Sequence, residues 1–359
     1  MDNLKDKKEN QILKNIIIAS VSILTVLLLI IIWNAIAPFQ SDNDNIYLRT
    51  IVSGEMTGNY ESHLYYMGII SGVILSALYT ITGNVIHWFG IFLCASMAST
   101  MCAILYVSLK KCKQIYSIII LYVFHVIIFI SFFYHYFAKT QFTIATGMVG
   151  VTALFCLAVV KFEEKLSKSI IACIPFLIFS IWSLGMRDKG FFMLIPFFGM
   201  VFLAKLIDAK EKKAKLNVVI TGLIFLAVIG SVFGINKLAY SSDEWKEFKA
   251  YTDASEELID YYGFPDYDEN EKEYEKYGIT KSSYEAAVYH YNIILDSSIN
   301  KDSMISLAKV AKANCEKNSE ALPLRLIGIL KEIVYRNIKD YQDRPINIVV
   351  FALYAFVFV

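Results

Sequence analysis

The sequence predicts an all-α protein, a polytopic bundle of transmembrane helices that carries a helical insertion outside the membrane. Three observations predict this class. Of the 359 residues, 56% are apolar and 19% are charged, whereas soluble domains average roughly 45–50% and about 25%. The apolar residues gather in runs, most of them near the roughly 20 residues that cross a bilayer. Runs of this length in lipid should be helices, because backbone groups there must find their hydrogen bonds internally.

The apolar runs set the order of the elements. The first run follows a lysine-rich start, and Pro38 directly after it disfavours signal-peptidase cleavage, so we expect an uncleaved first span. The runs lie at residues 16–37, 65–81, 85–109, 115–137, 143–160, 169–184, 191–207, 216–235 and 346–359. The last run is short and stops with the chain, so we expect a fragment of a longer polytopic protein.

This order predicts five regions. They are a cytoplasmic start with the first transmembrane helix (1–37), an outer loop with an acidic motif and an interfacial or re-entrant helix (38–84), a transmembrane core (85–235), an extracytoplasmic helical insertion (236–344) and the start of a further transmembrane helix (345–359). Within the insertion, Ser242 should begin a helix, residues 284–295 and 321–338 have helical spacing, and most of the tyrosines are expected to form a small core.

Lysine clusters predict the orientation in the membrane. They lie at residues 5–14, 110–113, 161–168 and 205–215. Basic loops stay in the cytoplasm, so we expect a cytoplasmic N-terminus and acidic loops on the outer side of the membrane. This orientation needs an odd number of crossings between 38 and 109. We therefore expect the run at 65–81, interrupted by Gly68 and Gly72, to lie in the interface; if it crosses instead, every later loop changes side.

Charge and cysteine content exclude several function classes. With 34 basic and 33 acidic residues the net charge is +1, which gives no electrostatic basis for binding nucleic acid. The six cysteines stand singly, without zinc-ligand spacing, and most lie inside apolar runs where they should be small core residues. The motifs of common soluble enzymes are absent from the sequence.

Two carboxylates follow the first span. Asp42 and Asp44 lie in a short polar segment, where a carboxylate could act as a general base or bind a divalent cation. The alternative is a solvated loop with Asx-turns. A short amphipathic helix, a glycine turn and Glu61 and His63 come next, which would return the acidic segment to the bilayer surface beside a lipid-linked head group.

Basic and hydrogen-bonding residues fall in two short loops on the same predicted side. Lys139 and Gln141 belong to the first loop and Arg187 to the second. Together with Glu61 and His63 they are candidates for binding the substrate. Arg187 and Lys139 are suited to hold its phosphate, and His63 could either contact that phosphate or assist proton transfer. The alternatives for Arg187 are an ion pair with Asp188 and extension of the side chain to the membrane surface.

The chain resembles the GT-C superfamily of polytopic glycosyltransferases, and more narrowly a group of uncharacterised multi-span proteins of Gram-positive bacteria. The likeness lies in an N-terminal span followed by the acidic segment at 41–45 and the segment at 51–58. Further likeness lies at 141–143 and 259–267. GT-C enzymes use an acidic residue of the first outer loop, commonly one of two adjacent acids. Here the pair is Asp44 and Asn45, so the second acid is replaced.

The resemblance implies transfer of a sugar from a polyprenyl-phosphate donor to an envelope glycan or protein acceptor on the outer face. Asp44 would be the base that deprotonates the acceptor hydroxyl, or would orient it, with Asp42 in reserve. No cofactor is certain, and a divalent cation is one option. A transporter or flippase of a lipid-linked envelope component and a non-catalytic membrane scaffold are the alternatives.

Overall fold

The structure, a computed structural model, describes residues 2–36, 43–112, 114–130, 134–138, 140–290 and 297–317, together with 327–328, 331–332 and 335. In these residues every regular element is helical, which confirms the predicted all-α class. The chain divides into two compact units, and the boundary lies between Ala239 and Tyr240.

The helices of the first unit are α1 (Asp2–Ile36), α2 (Asn43–Val52), α3 (Ile69–Thr82), α4 (Trp88–Lys111), α5 (Ile115–Ile128), α6 (Tyr134–Ala138), α7 (Phe142–Val159), α8 (Leu166–Met186), α9 (Asp188–Phe192), α10 (Ile195–Asp208) and α11 (Lys212–Ala239). Those of the second unit are α12 (Asp243–Glu256), a π-helix (Glu257–Tyr262), α13 (Glu271–Lys276), α14 (Lys281–His290) and α15 (Lys301–Lys317).

Six helical segments in the described residues are long and apolar enough to cross a membrane. They are Ile12–Ala35 within α1, α4, α7, α8, the combined α9 and α10 (Asp188–Asp208), and α11. Within the run predicted at 115–137, the structure gives α5 (Ile115–Ile128) and α6 (Tyr134–Ala138), and residues 131–133 lie outside the described residues. The segments match the predicted apolar runs closely, since hydropathy is a local property of the sequence.

Lysine side chains meet carbonyl groups at one end of this bundle. Lys14, in α1, donates to the carbonyl oxygen of Lys110 near the end of α4, at 3.3 Å. Lys205, near the end of α10, donates to the carbonyl oxygen of Ala158 near the end of α7. We call this the lysine end. The opposite end, where α1 finishes and α2 lies, is called the α2 end.

Helix α3 has both of its ends at the α2 end. At its start, the backbone N–H of Gly68 donates to the carbonyl oxygen of Gly185 near the end of α8, at 3.0 Å. Near its finish, the hydroxyl of Tyr79 accepts from the backbone N–H of Phe89 at the start of α4, at 3.1 Å. A helix held in this way lies across one end of the bundle and does not connect the two ends.

Two glycines let the start of α3 lie against backbone. A Cβ on Gly68 would stand 2.9 Å from the carbonyl oxygen of Gly185. A Cβ on Gly72 would stand 1.8 Å from the carbonyl oxygen of Ser62, which is far inside contact distance. The glycines that interrupt the apolar run at 65–81 are therefore packing positions of α3.

Aromatic packing and one hydrogen bond join the central spans. Phe176 of α8 lies fully buried with its ring centroid 4.9 Å from that of Phe225 in α11. The hydroxyl of Ser183 in α8 donates to the carbonyl oxygen of Thr146 in α7, at 3.0 Å. Between spans in lipid, such close packing and hydrogen bonding supply the association that the hydrophobic effect supplies in water.

The second unit has a tyrosine core. The hydroxyl of Ser242 accepts from the backbone N–H of Trp245 and caps α12, which confirms the predicted helix start. Tyr274 is 1% exposed and donates to the carbonyl oxygen of Pro265 at 2.6 Å, whereas Tyr261 is 68% exposed and lies outside the core. The predicted helix at 284–295 overlaps α14, and residues 291–296 lie outside the described residues. Most of the segment at 321–338 lies outside them too.

Candidate functional site

The acidic segment is helical where the structure describes it. Helix α2 begins at Asn43, so Asp44 stands in its first turn and not in a loop as the sequence analysis expected. Its side chain is half-buried. A carboxylate in the first turn is favoured by the partial positive charge of the helix N-terminus. Asp42, the second candidate acid, lies outside the described residues.

Asn45 connects α2 to the start of α7. Its side chain is fully buried. Its Nδ2 donates to the carbonyl oxygen of Thr140 at 2.9 Å, and its Oδ1 accepts from the backbone N–H of Phe142 at 3.1 Å. The first N–H groups of a helix have no partner within the helix, so Asn45 satisfies one of them from another element. These bonds bring the first turn of α2 to Gln141, which is half-buried; Lys139 lies outside the described residues.

Arg187 stands between α8 and α9 and is directed at α7. Its Nη1 donates to the hydroxyl of Thr143. Its guanidinium carbon lies 5.1 Å from the ring centroid of Phe142 and 5.9 Å from that of Tyr66, within cation–π range. Among the described residues no acidic side chain pairs with Arg187, and Asp188 instead accepts from a backbone N–H of α9. The ion pair considered as an alternative is therefore not formed.

Glu61 and His63 form a pair. The Oε1 of Glu61 lies 2.8 Å from Nδ1 of His63 and also accepts from the backbone N–H groups of Ser62 and His63, at 2.7 and 2.9 Å. Burial by itself would raise the pKa of Glu61, but the hydrogen bonds from His63 and Ser62 outweigh it and hold that pKa below its ordinary value. The side chains of His63 and Glu61 are 30% and 42% exposed.

The structure brings most of the candidate residues to one end of the bundle. Asn45 places Asp44 beside Gln141, and Thr143 and Phe142 hold Arg187 to the same turn of α7. The residues that make these contacts were missed in the sequence because their partners are far apart in the chain, 95 positions between Asn45 and Thr140. The sequence signal that could have revealed these contacts was Asn45, an amide at the position where the resemblance leads one to expect a second acid.

A small crevice lies beside the start of α3. It is lined by Gly68, Gly185, Asp188 and Asn236 and has a volume of about 10 Å³, which is near the minimum for one water molecule. Within the described residues no group of three or more His, Cys, Asp and Glu side chains could hold a metal ion.

No protein-family model matches the chain, and neither a curated protein nor a solved structure is similar to it. The resemblance to GT-C enzymes thus stays a prediction, and function is argued from the α2 end.

Proposed function

We propose that this protein is an integral membrane glycosyltransferase of the bacterial plasma membrane. It would transfer a sugar from a polyprenyl-phosphate donor to an envelope glycan or protein acceptor on the outer face. The observation that carries the proposal is the guanidinium of Arg187, which has no acidic partner among the described residues and lies at the same end as Asp44.

Arg187 is suited to the phosphate of the donor. As the bond between sugar and phosphate breaks, negative charge grows on the departing phosphate, and a cation already fixed there lowers the barrier. Thr143 and the ring of Phe142 fix the guanidinium in this chain. Arg offers several N–H groups to phosphate oxygens, so the bond to Thr143 leaves others for the donor.

Asp44 supplies the carboxylate for the acceptor. Its place in the first turn of α2, tied through Asn45 to α7, puts it near the turn that holds Arg187. A carboxylate accepts hydrogen bonds only, so it would bind and orient the acceptor hydroxyl. The lysine end would face the cytoplasm, because basic loops are retained there, and the α2 end would face outward.

The test is sugar transfer in proteoliposomes. The purified protein would receive radiolabelled polyprenyl-phosphate hexoses, with an isolated bacterial envelope fraction as acceptor. Loss of a charged hydrogen bond to a ligand costs about 1.5–3 kcal/mol, so Arg187→Gln should raise the KM for the donor roughly tenfold to hundredfold. It should also lower kcat, because the departing phosphate loses the same contact in the transition state. Asp44→Asn should abolish transfer while the protein stays folded and membrane-inserted.

Arg49→Gln is the matched control, because Arg49 lies in α2 and its guanidinium already pairs with Glu55 at 3.1 Å. Its donor KM should stay within about twofold of the wild type. An unchanged donor KM in Arg187→Gln, or full transfer in Asp44→Asn, would contradict the proposal. The structure gives the transporter alternative less support, since the fully buried polar side chains among the described residues, the tyrosines apart, are Asn, Ser and Thr, which carry no charge.

A further inference from the structure

We propose that Glu61 and His63 are the proton-accepting pair of the transfer reaction, in which the imidazole of His63 takes the proton of the acceptor hydroxyl. This inference rests on the proposed function and assigns a step that the function leaves open. Of the two roles open to His63, it selects proton transfer, and it makes Glu61 the residue that orients the imidazole.

The contact between the two side chains fixes which nitrogen can accept a proton. An ionised carboxylate can accept a hydrogen bond but cannot donate one. The Nδ1 of His63, which lies 2.8 Å from Oε1 of Glu61, therefore carries the hydrogen of this contact. In the neutral ring the lone pair then lies on Nε2. Because the pKa of Glu61 is held low, the carboxylate stays charged through the pH range in which histidine titrates.

Backbone contacts hold the pair in place. Oε1 of Glu61 accepts from two backbone N–H groups in addition to the imidazole, so the carboxylate cannot turn away without losing three bonds. The carbonyl of Ser62, between the two residues, lies directly against Gly72 of α3. The histidine is oriented by its neighbours, as a general base requires.

The pair lies near the proposed phosphate site. Tyr66, whose ring is 5.9 Å from the guanidinium of Arg187, follows His63 by three residues. Three residues of chain reach at most about 11 Å, so the backbones of His63 and Tyr66 lie within that distance. The imidazole is 30% exposed. Both groups therefore lie at the α2 end, on either side of Tyr66.

The transfer step exchanges one bond of the sugar for another and moves one proton. The oxygen of the acceptor hydroxyl forms a bond to the anomeric carbon of the sugar while the bond from that carbon to the phosphate oxygen breaks. The electron pair of the broken bond leaves with the lipid phosphate, whose charge Arg187 stabilises. The proton of the hydroxyl passes to Nε2 of His63, the carboxylate of Glu61 stabilises the resulting imidazolium, and the proton is later released to water.

Three variants test the step in the proteoliposome assay. His63→Gln should lower kcat about 100-fold with little change in the donor KM, which is the size of a general-base contribution. Glu61→Gln should keep part of the activity and move the acidic limb of the pH–rate profile. His87→Asn is the matched control, because Nδ1 of His87 accepts from the backbone N–H of Gly90 and Asn can cap the helix in the same way; its kcat should stay within about twofold.

A second measurement does not depend on activity. In the ¹⁵N spectrum of histidine-labelled protein, the signal of His63 is identified as the one that is missing from His63→Gln. In the wild type this signal should show that the hydrogen is on Nδ1. In Glu61→Gln it should shift toward the tautomer with the hydrogen on Nε2. A wild-type kcat in His63→Gln, with Arg187→Gln still impaired, would overturn the inference and leave the proposed function standing. A Glu61→Gln variant with a lower melting temperature and an unchanged pH–rate profile would show that the pair is structural, which would also overturn the inference. Absence of transfer by the wild type would overturn both the inference and the proposed function.

Discussion

Asn45 occupies a position that only an amide side chain satisfies. Its fully buried side chain faces a carbonyl oxygen on one side and a backbone N–H on the other. Only a side chain that carries both a hydrogen-bond donor and an acceptor can pair with this carbonyl and this N–H, and the Asn amide carries both. A carboxylate would leave the carbonyl of Thr140 facing negative charge in a place closed to water. The position has a structural reason to be an amide.

We therefore expect Asn45→Asp to destabilise the protein and not to increase transfer. Each buried polar group left without a partner costs about 1–3 kcal/mol, so Asn45→Ala should also be destabilising. Asn34→Ala is the control, since Asn34 is exposed and donates within α1. Unfolding in detergent measures the difference; equal stability of Asn45→Asp and the wild type would refute this account of the position.

At the scale of the element, α3 depends on two positions without a side chain. Gly68 and Gly72 both meet backbone carbonyl oxygens, and backbone cannot move aside as a flexible side chain can. The contact at Gly72 also sets where Glu61 and His63 lie, because Ser62 stands between them.

Gly72→Ala should lower stability by about 1–3 kcal/mol or more, which is the usual cost of overpacking, and should reduce transfer by displacing the Glu61–His63 pair. Gly147→Ala in α7 is the matched control, because a Cβ there meets nothing within 4 Å. Thermal unfolding and the transfer rate of both variants decide the matter. A Gly72→Ala protein as stable and active as Gly147→Ala would contradict the packing described for α3.

At the scale of the whole molecule, the first compact unit has two chemically different ends. The backbone contacts of Lys14 and Lys205 lie at one end, and α2, both ends of α3 and Arg187 lie at the other. If α3 does not cross, residues before and after it are on the same side of the membrane, and the lysine loops all fall on the opposite side as the positive-inside rule requires.

Cysteine labelling tests this arrangement. In a cysteine-free background, Thr57→Cys and Asn84→Cys, at exposed positions before and after α3, should react with an impermeant maleimide from the same side of the membrane. Lys212→Cys, exposed at the start of α11, should react only from the other side. Labelling of Thr57→Cys and Asn84→Cys from opposite sides would mean that α3 crosses, and the predicted orientation of every later loop would be wrong.

The sequence predicts the elements of this molecule better than their contacts. Hydropathy locates the spans and a Ser followed by acids locates the start of α12, because both depend on neighbouring residues. The bond from Asn45 to Thr140 and the direction of Arg187 toward Thr143 join segments 95 and 44 positions apart. Contacts between residues so far apart in the chain leave no periodic pattern in the sequence. The Glu61–His63 pair is local, but its geometry depends on the turn before α3.

The contact between Ser62 and Gly72 has a mechanical consequence. The backbone of Ser62 lies directly against that of Gly72, so the segment that carries Glu61 and His63 packs on α3. A tilt of α3 toward this segment would therefore displace the imidazole as well. If binding of a lipid-linked sugar moves α3, the same movement changes the distance between the histidine and the arginine, and entry of the substrate is then coupled to alignment of the reacting groups.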